Sequence, residues 1–125
     1  MKNELILFET ADKEIKLNVS VKDSTVWLNR NQLAELFERD VKTIGKHINN
    51  ALREELESDK ATVAKFATVQ KEGERFVTRQ VEFYNLDMIL SIGYRVKSKR
   101  GILFRQWANK VLKDYLLKGY SINQR

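Results

Sequence analysis

The chain has 125 residues and 42% hydrophobic content, enough for one domain with a buried core. It contains no cysteine and a single histidine, His47, which excludes disulfides, thiolate zinc sites and multi-histidine metal centres within one chain. The net charge of +6 is lopsided: residues 1–94 carry 14 Lys and Arg against 16 Asp and Glu, and residues 95–125 carry 9 against 1. Basicity gathered at one end points to a polyanionic partner, nucleic acid ahead of an acidic membrane surface.

No run approaches the ~18–20 apolar residues of a membrane helix. The start, MKNELILFET, has acids at Glu4 and Glu9 and no small-residue cleavage site, so it does not read as a signal peptide. A soluble cytoplasmic protein is expected, with no membrane partner.

In chain order, ELILFET (4–10), EIKLNVSV (14–21) and TVWL (25–28) predict a three-stranded β-meander, with turns at ADK and KDS. In the second segment Ile15, Leu17, Val19 and Val21 alternate with polar residues, the period of a half-buried strand. Asn29 then offers a helix N-cap, with Gln32 completing a capping box, and predicts a helix over about 30–37. Asp40 offers the cap of a second helix, whose inward stripe is expected to be Val41, Ile44, Ile48 and Leu52.

Together residues 29–53 have the pattern of a helix-turn-helix. Ala34 is small enough for close helix approach, and Ile44 ten residues later supplies the packing contact. The outer face of the second helix would present Lys42, Thr43, Lys46, His47, Asn49 and Asn50, with Arg39 in the turn, all able to reach base edges or phosphates. Gly45 is expected to let that helix come close to DNA. Glu38 stands where such turns usually have glycine, so the turn must adopt another backbone conformation or carry strain. The competing reading is a plain helical hairpin with a polar face.

Residues 61–84 predict a β-hairpin turning at KEGE, where Gly73 can take a positive φ. The hairpin could lie on DNA as a wing through Lys65, Lys71, Arg75 and Arg79, or could complete the core sheet; Glu72 and Glu74 at the tip leave both open. Asn85 caps a third helix over about 86–95. VKSKRG then breaks the chain before a fourth helix over about 102–118, with an apolar stripe of Trp107, Ala108, Val111, Leu112 and Tyr115 and an end at Gly119. Lys97, Lys99, Arg100 and Arg105 cluster at the start of that helix, where the dipole and free amides add to the attraction for phosphate. The acids Glu54, Glu55, Glu57 and Asp59 read as a solvated helix end, and no enzymatic motif, metal site or cofactor site is expected.

AELFERDVKTIGKHI, AKFATV and FYNLDMILSIGYRVKSKRGILFRQWANKVLKDYLLKGYSIN resemble the N-terminal region of the RhuM family of virulence-island and prophage-associated proteins. That resemblance implies DNA binding, to which residues 29–53 correspond, and a likeness to phage antirepressor N-terminal domains. It also implies that relatives continue past the GYSIN segment, so residues 1–125 are expected to be the N-terminal domain of a longer chain. The expectation is therefore an α+β fold, a winged-helix-like helix-turn-helix framed by sheet and two C-terminal helices, acting as a DNA-binding transcriptional regulator. Arg39, Lys42, Thr43, Lys46, His47 and Asn49 would read the groove, and Lys97, Lys99, Arg100 and Arg105 would hold phosphates. Double-stranded DNA is the expected partner, with a homodimer possible in principle. The alternative is an antirepressor-like module whose fourth helix captures a repressor or other protein.

Overall fold

Alternation of apolar and polar residues gives three N-terminal strands, β1 (Glu4–Glu9), β2 (Lys16–Lys22) and β3 (Thr25–Asn29). They belong to a computed structural model that describes residues 4–54 and 62–123, with side chains of the last helix described as far as Asp114. Thr10 organises the first turn, its hydroxyl donating to Asp12 and accepting from the Ile15 amide. The second turn is two residues long, with Asp23 and Ser24 both left-handed.

The predicted hairpin forms from β4 (Val63–Glu72) and β5 (Arg75–Asn85), with Gly73 at φ 66° in the turn. All pairings are antiparallel and the five strands run in the order β1-β2-β3-β5-β4. Only the base of the hairpin joins the sheet: β5 meets β3 at Phe83, Tyr84 and Asn85, while β4 and β5 stay paired to Glu72 and Arg75. The rest is a two-stranded arm.

Four helices follow their sequence signals. In α1 (Arg30–Phe37) the capping box is complete, Gln32 N donating to Asn29 Oδ1 at 2.8 Å and Asn29 N to Gln32 Oε1 at 3.0 Å. Asp40 starts α2 (Val41–Glu54) by accepting from the Thr43 amide at 2.6 Å. Asn85 starts α3 (Leu86–Arg95) through the Met88 amide at 3.1 Å. The fourth helix, α4 (Lys99–Asn123), differs from expectation at both ends. It begins three residues early because the Ser98 hydroxyl accepts from the Arg100 amide, and it continues through Gly119.

The core lies between one sheet face and the helices: Leu17, Val19, Val21, Val26 and Leu28 meet Leu33, Phe37, Ile44, Ile48, Met88, Ile92 and Phe104. The inward stripe of α2 is Ile44, Gly45, Ile48 and Ala51; Leu52 is half-buried, and Val41, expected inside, is 41% exposed on the first turn. In α4, Ala108 is buried and Trp107, Val111 and Leu112 pack against the core, while the Tyr115 side chain lies outside the described residues, as do Ala61, Glu55, Glu57 and Asp59. On the opposite sheet face a small aromatic cluster forms, Phe66 lying 5.5 Å from Trp27 and 5.1 Å from Phe83 between ring centroids. Helices α3 and α4 cross at Gly93 and Gly101, where a Cβ on Gly93 would stand 3.2 Å from the Phe37 ring and 3.3 Å from Gly101 Cα.

Candidate nucleic-acid interface

The two helices α1 and α2 are joined through Glu38, Arg39 and Asp40. Glu38 is left-handed (φ 53°, ψ 49°), and the Glu38 and Arg39 amides donate back to the Glu35 and Ala34 carbonyls. This is the helix closure that usually uses glycine, here made by a glutamate. The same closure ends α3: Lys97 is left-handed at φ 54°, and the Lys97 and Ser98 amides donate to the Tyr94 and Gly93 carbonyls.

Two arginines stitch these closures together. Arg39 donates through Nη1 to the Phe37 and Glu38 carbonyls and through Nη2 to the Val96 carbonyl at 3.2 Å. Arg100 donates to the Leu36 carbonyl at 3.1 Å and pairs with Glu38 at 2.7 Å and Glu14 at 3.2 Å. Both guanidinium groups are thus engaged by partners within the protein, Arg39 at an exposed position and Arg100 at a half-buried one, so each has a structural role beside the DNA contact expected of it. The Glu38 carboxylate, a like charge to a phosphate, is offset by Arg100 rather than left bare.

Of the other expected residues, Lys42, Lys46 and Asn49 are exposed on α2, and Arg53 shares their face at helical spacing. Arg53, absent from the sequence-based expectation, lies one turn beyond Asn49, and its Nη2 donates to Asn50 Oδ1 at 2.7 Å. Thr43 and His47 are half-buried on the flank. Hydrogen bonds from the Thr43 amide and hydroxyl, with the nearby Lys42 charge, hold the Asp40 carboxyl below its ordinary pKa, so Thr43 serves as a capping partner. Gly45 is not on the outer face. It is buried, and the space a side chain would take is occupied by Arg30, whose Nη1 would stand 3.0 Å from a Cβ. Arg30 and Tyr84 share a surface depression at the base of the hairpin, where the Tyr84 hydroxyl donates to Glu82 Oε2 at 3.1 Å.

Lys97, Lys99 and Arg105 are exposed and line one groove of about 590 Å³ between α3 and α4, together with Leu90, Tyr94 and Ile102. The Arg39 bond to the Val96 carbonyl ties the turn that leads into α2 to the residue preceding Lys97. A second tie joins the C-terminal ends of α2 and α3, Arg95 to Glu54 at 3.1 Å. The hairpin is a weaker candidate as a wing. Its Lys65, Lys71, Arg75 and Arg79 are exposed, but Arg79 is held by Glu72 at 2.8 Å, and that pairing lowers the Glu72 pKa and raises that of Arg79.

Residues 61–125 match the sequence pattern of the Virulence protein RhuM family. The chain belongs to the RhuM family. No curated protein and no solved structure matches it. The RhuM match covers the hairpin, α3 and α4, and so includes Tyr94, Lys97, Lys99 and Arg105, while α1 and α2 precede it. Among the described residues no helix is long and apolar enough to cross a membrane.

Proposed function

We propose that this RhuM-family domain binds double-stranded DNA in gene regulation, using α1 and α2 as a helix-turn-helix and the α3–α4 junction as a phosphate grip. The observation that carries the reading is the Arg39 bond to the Val96 carbonyl, which couples the start of α2 to a junction bearing Lys97, Lys99 and Arg105. Lys42, Lys46, Asn49 and Arg53 would face the groove, with His47 at its edge. Binding alone is proposed, with no catalytic step, metal or cofactor.

Neutralising several phosphates releases counterions, so affinity for random duplex should fall with salt, log K against log salt having a slope of about −3.6 to −5.4 for four to six contacts. A titration at low and moderate salt reads this directly. Absence of any complex at ~50 mM salt, where non-specific binding is favoured, would sink the reading. Lys46→Ala with Asn49→Ala should relax preference among sequences by about 1–3 kcal/mol per lost base contact, while Lys97→Ala with Lys99→Ala should weaken all duplexes alike and flatten the slope by about two. A second reading, capture of a protein partner by α4 in antirepressor fashion, is supported by Ile102 and Leu103, apolar residues half-exposed near its start. Charged partners of both kinds are separated by the sequence preference, which a captured protein would not produce.

A further inference from the structure

Gripping a phosphate backbone needs cations on an open surface. The α3–α4 groove offers something more: a concavity of about 590 Å³ with an apolar floor, cations at its rim and an aromatic ring left in solvent. Gly93 and Gly101 form the floor where the helices cross, Leu90 and Ile102 add apolar surface, and Tyr94 is 84% exposed. Lys97, Lys99 and Arg105 line the same space, and α4 begins there with no acid in its first turn.

We infer that this groove takes an unpaired nucleotide, its base stacked on Tyr94 over the apolar floor and its phosphates held by Lys97, Lys99 and Arg105. The inference rests on the DNA-binding reading and makes it narrower: the preferred ligand is a duplex with a single-stranded end, flap or opened base rather than a blunt duplex. Three features select this occupant. A base has a π-face for an exposed aromatic ring whatever its sequence, and alternation of aromatic and cationic side chains is how single strands are held. The groove volume lies in the ~300–1,000 Å³ range of small-ligand sites. An acidic helix, the rival occupant with complementary charge, needs a long row of apolar pockets at helical spacing, and here Leu90 and Ile102 flank a glycine floor. The Arg39 bond to the Val96 carbonyl ties the turn that leads into α2 to the residue preceding Lys97, so a strand leaving a duplex held on α2 has a short path to the groove.

The test is fluorescence anisotropy of the protein with a labelled blunt duplex and with the same duplex bearing a short unpaired thymidine tail. The tail should tighten binding several-fold to about a hundredfold, the effect of one stacked base. Tyr94→Ala should remove that advantage while leaving blunt-duplex affinity unchanged, and Tyr94→Phe should keep it; at this exposure neither change threatens the fold. Lys42→Ala with Lys46→Ala should weaken both probes equally. Equal affinity for tailed and blunt duplex, or a tail advantage indifferent to Tyr94→Ala, overturns the inference. So does displacement of the tail by polyglutamate or inorganic phosphate as readily as by oligothymidylate, which would make the groove a general anion site. If the tailed probe binds in a Tyr94-dependent way while the blunt duplex never binds, the groove assignment stands and the helix-turn-helix reading falls.

Discussion

Strand β2 and the outer arm of β4 and β5 alternate apolar and polar residues in much the same way, yet they end in opposite environments. In β2, Leu17, Val19 and Val21 are sealed beneath the helices. In the arm, Val69 and Phe76 stand 66% and 73% exposed, although alternation places them on one side of the ribbon, where their cross-strand partners are Thr78 and Lys71. The difference lies outside the strands: α1, α3 and α4 pack on β3 and extend over β2, whereas beyond Glu82 the ribbon has no third strand among the described residues. Alternation therefore reports that a segment is a strand and which residues share a face; it does not report whether anything covers that face. A two-stranded ribbon on its own is marginal in water, so the arm draws its order from its anchored base and its turn.

The largest effect expected to separate the two regions comes from truncating a ring in each. Phe104→Ala removes a fully buried side chain that packs edge-on against Phe8 and should cost about 3–5 kcal/mol, whereas Phe76→Ala should stay within about 0.5 kcal/mol. Thermal or urea unfolding measures both, and comparable losses would mean that the arm is covered in solution. Next in size, Ile44→Ala should destabilise by about 2–4 kcal/mol and Lys42→Ala hardly at all, because one faces α1 and the other solvent. Small, equal shifts would show that the wrong side of α2 has been assigned to the core.

A subtler contrast uses the left-handed junction. Lys97→Gly relieves an L-residue held at positive φ and should raise stability by up to about 1 kcal/mol, while under the proposed function its lost charge should weaken DNA binding. A variant that melts higher and binds less tightly would separate backbone from charge; lower stability would mean that the lysine side chain contributes to the fold. The smallest effect is in pH. Asp40 in the body and Glu72 in the arm both have carboxyl pKa values held down, the first mainly by the Thr43 amide and the second by Arg79. A depressed carboxyl stabilises the folded state above its unfolded pKa, and that contribution fades as pH falls through the folded one. Side-chain NMR titration should place both midpoints below those of free carboxylates. Acidification should then fray the α2 start and loosen the arm while β2 stays protected from amide exchange.

Much of this fold was legible because its signals are local. Asn29 with Gln32, Asp40, Asn85 and Gly73 each act within three or four residues, and each set an element end where the sequence placed it. Ser98 was equally local but lay within a run of cations, where its capping role was masked by the charge signal. Gly119 misled because a glycine inside a helix costs only about 1 kcal/mol and need not end it. The candidate site was legible in part. Helical periodicity placed Lys42, Lys46 and Asn49 on the solvent face of α2. It could not show that Arg39 and Arg100 bond carbonyls 57 and 64 residues away, because no local pattern encodes a partner that distant. Tyr94 was missed for a related reason: an aromatic residue in an apolar helix reads as core, yet it stands 84% exposed beside the buried Gly93.

The opposed closures at Glu38 and Lys97 have a mechanical consequence. Each reverses the chain sharply, and the guanidinium groups of Arg39 and Arg100 span the gap between them, so the separation of the α2 start from the α3–α4 junction is gauged by two rigid planar forks rather than by floppy loop length. A polymer with regularly spaced charges would meet a caliper of fixed opening. Replacing either arginine with lysine keeps every charge and loses the planar fork, so the instrument would keep its attraction and lose its calibration.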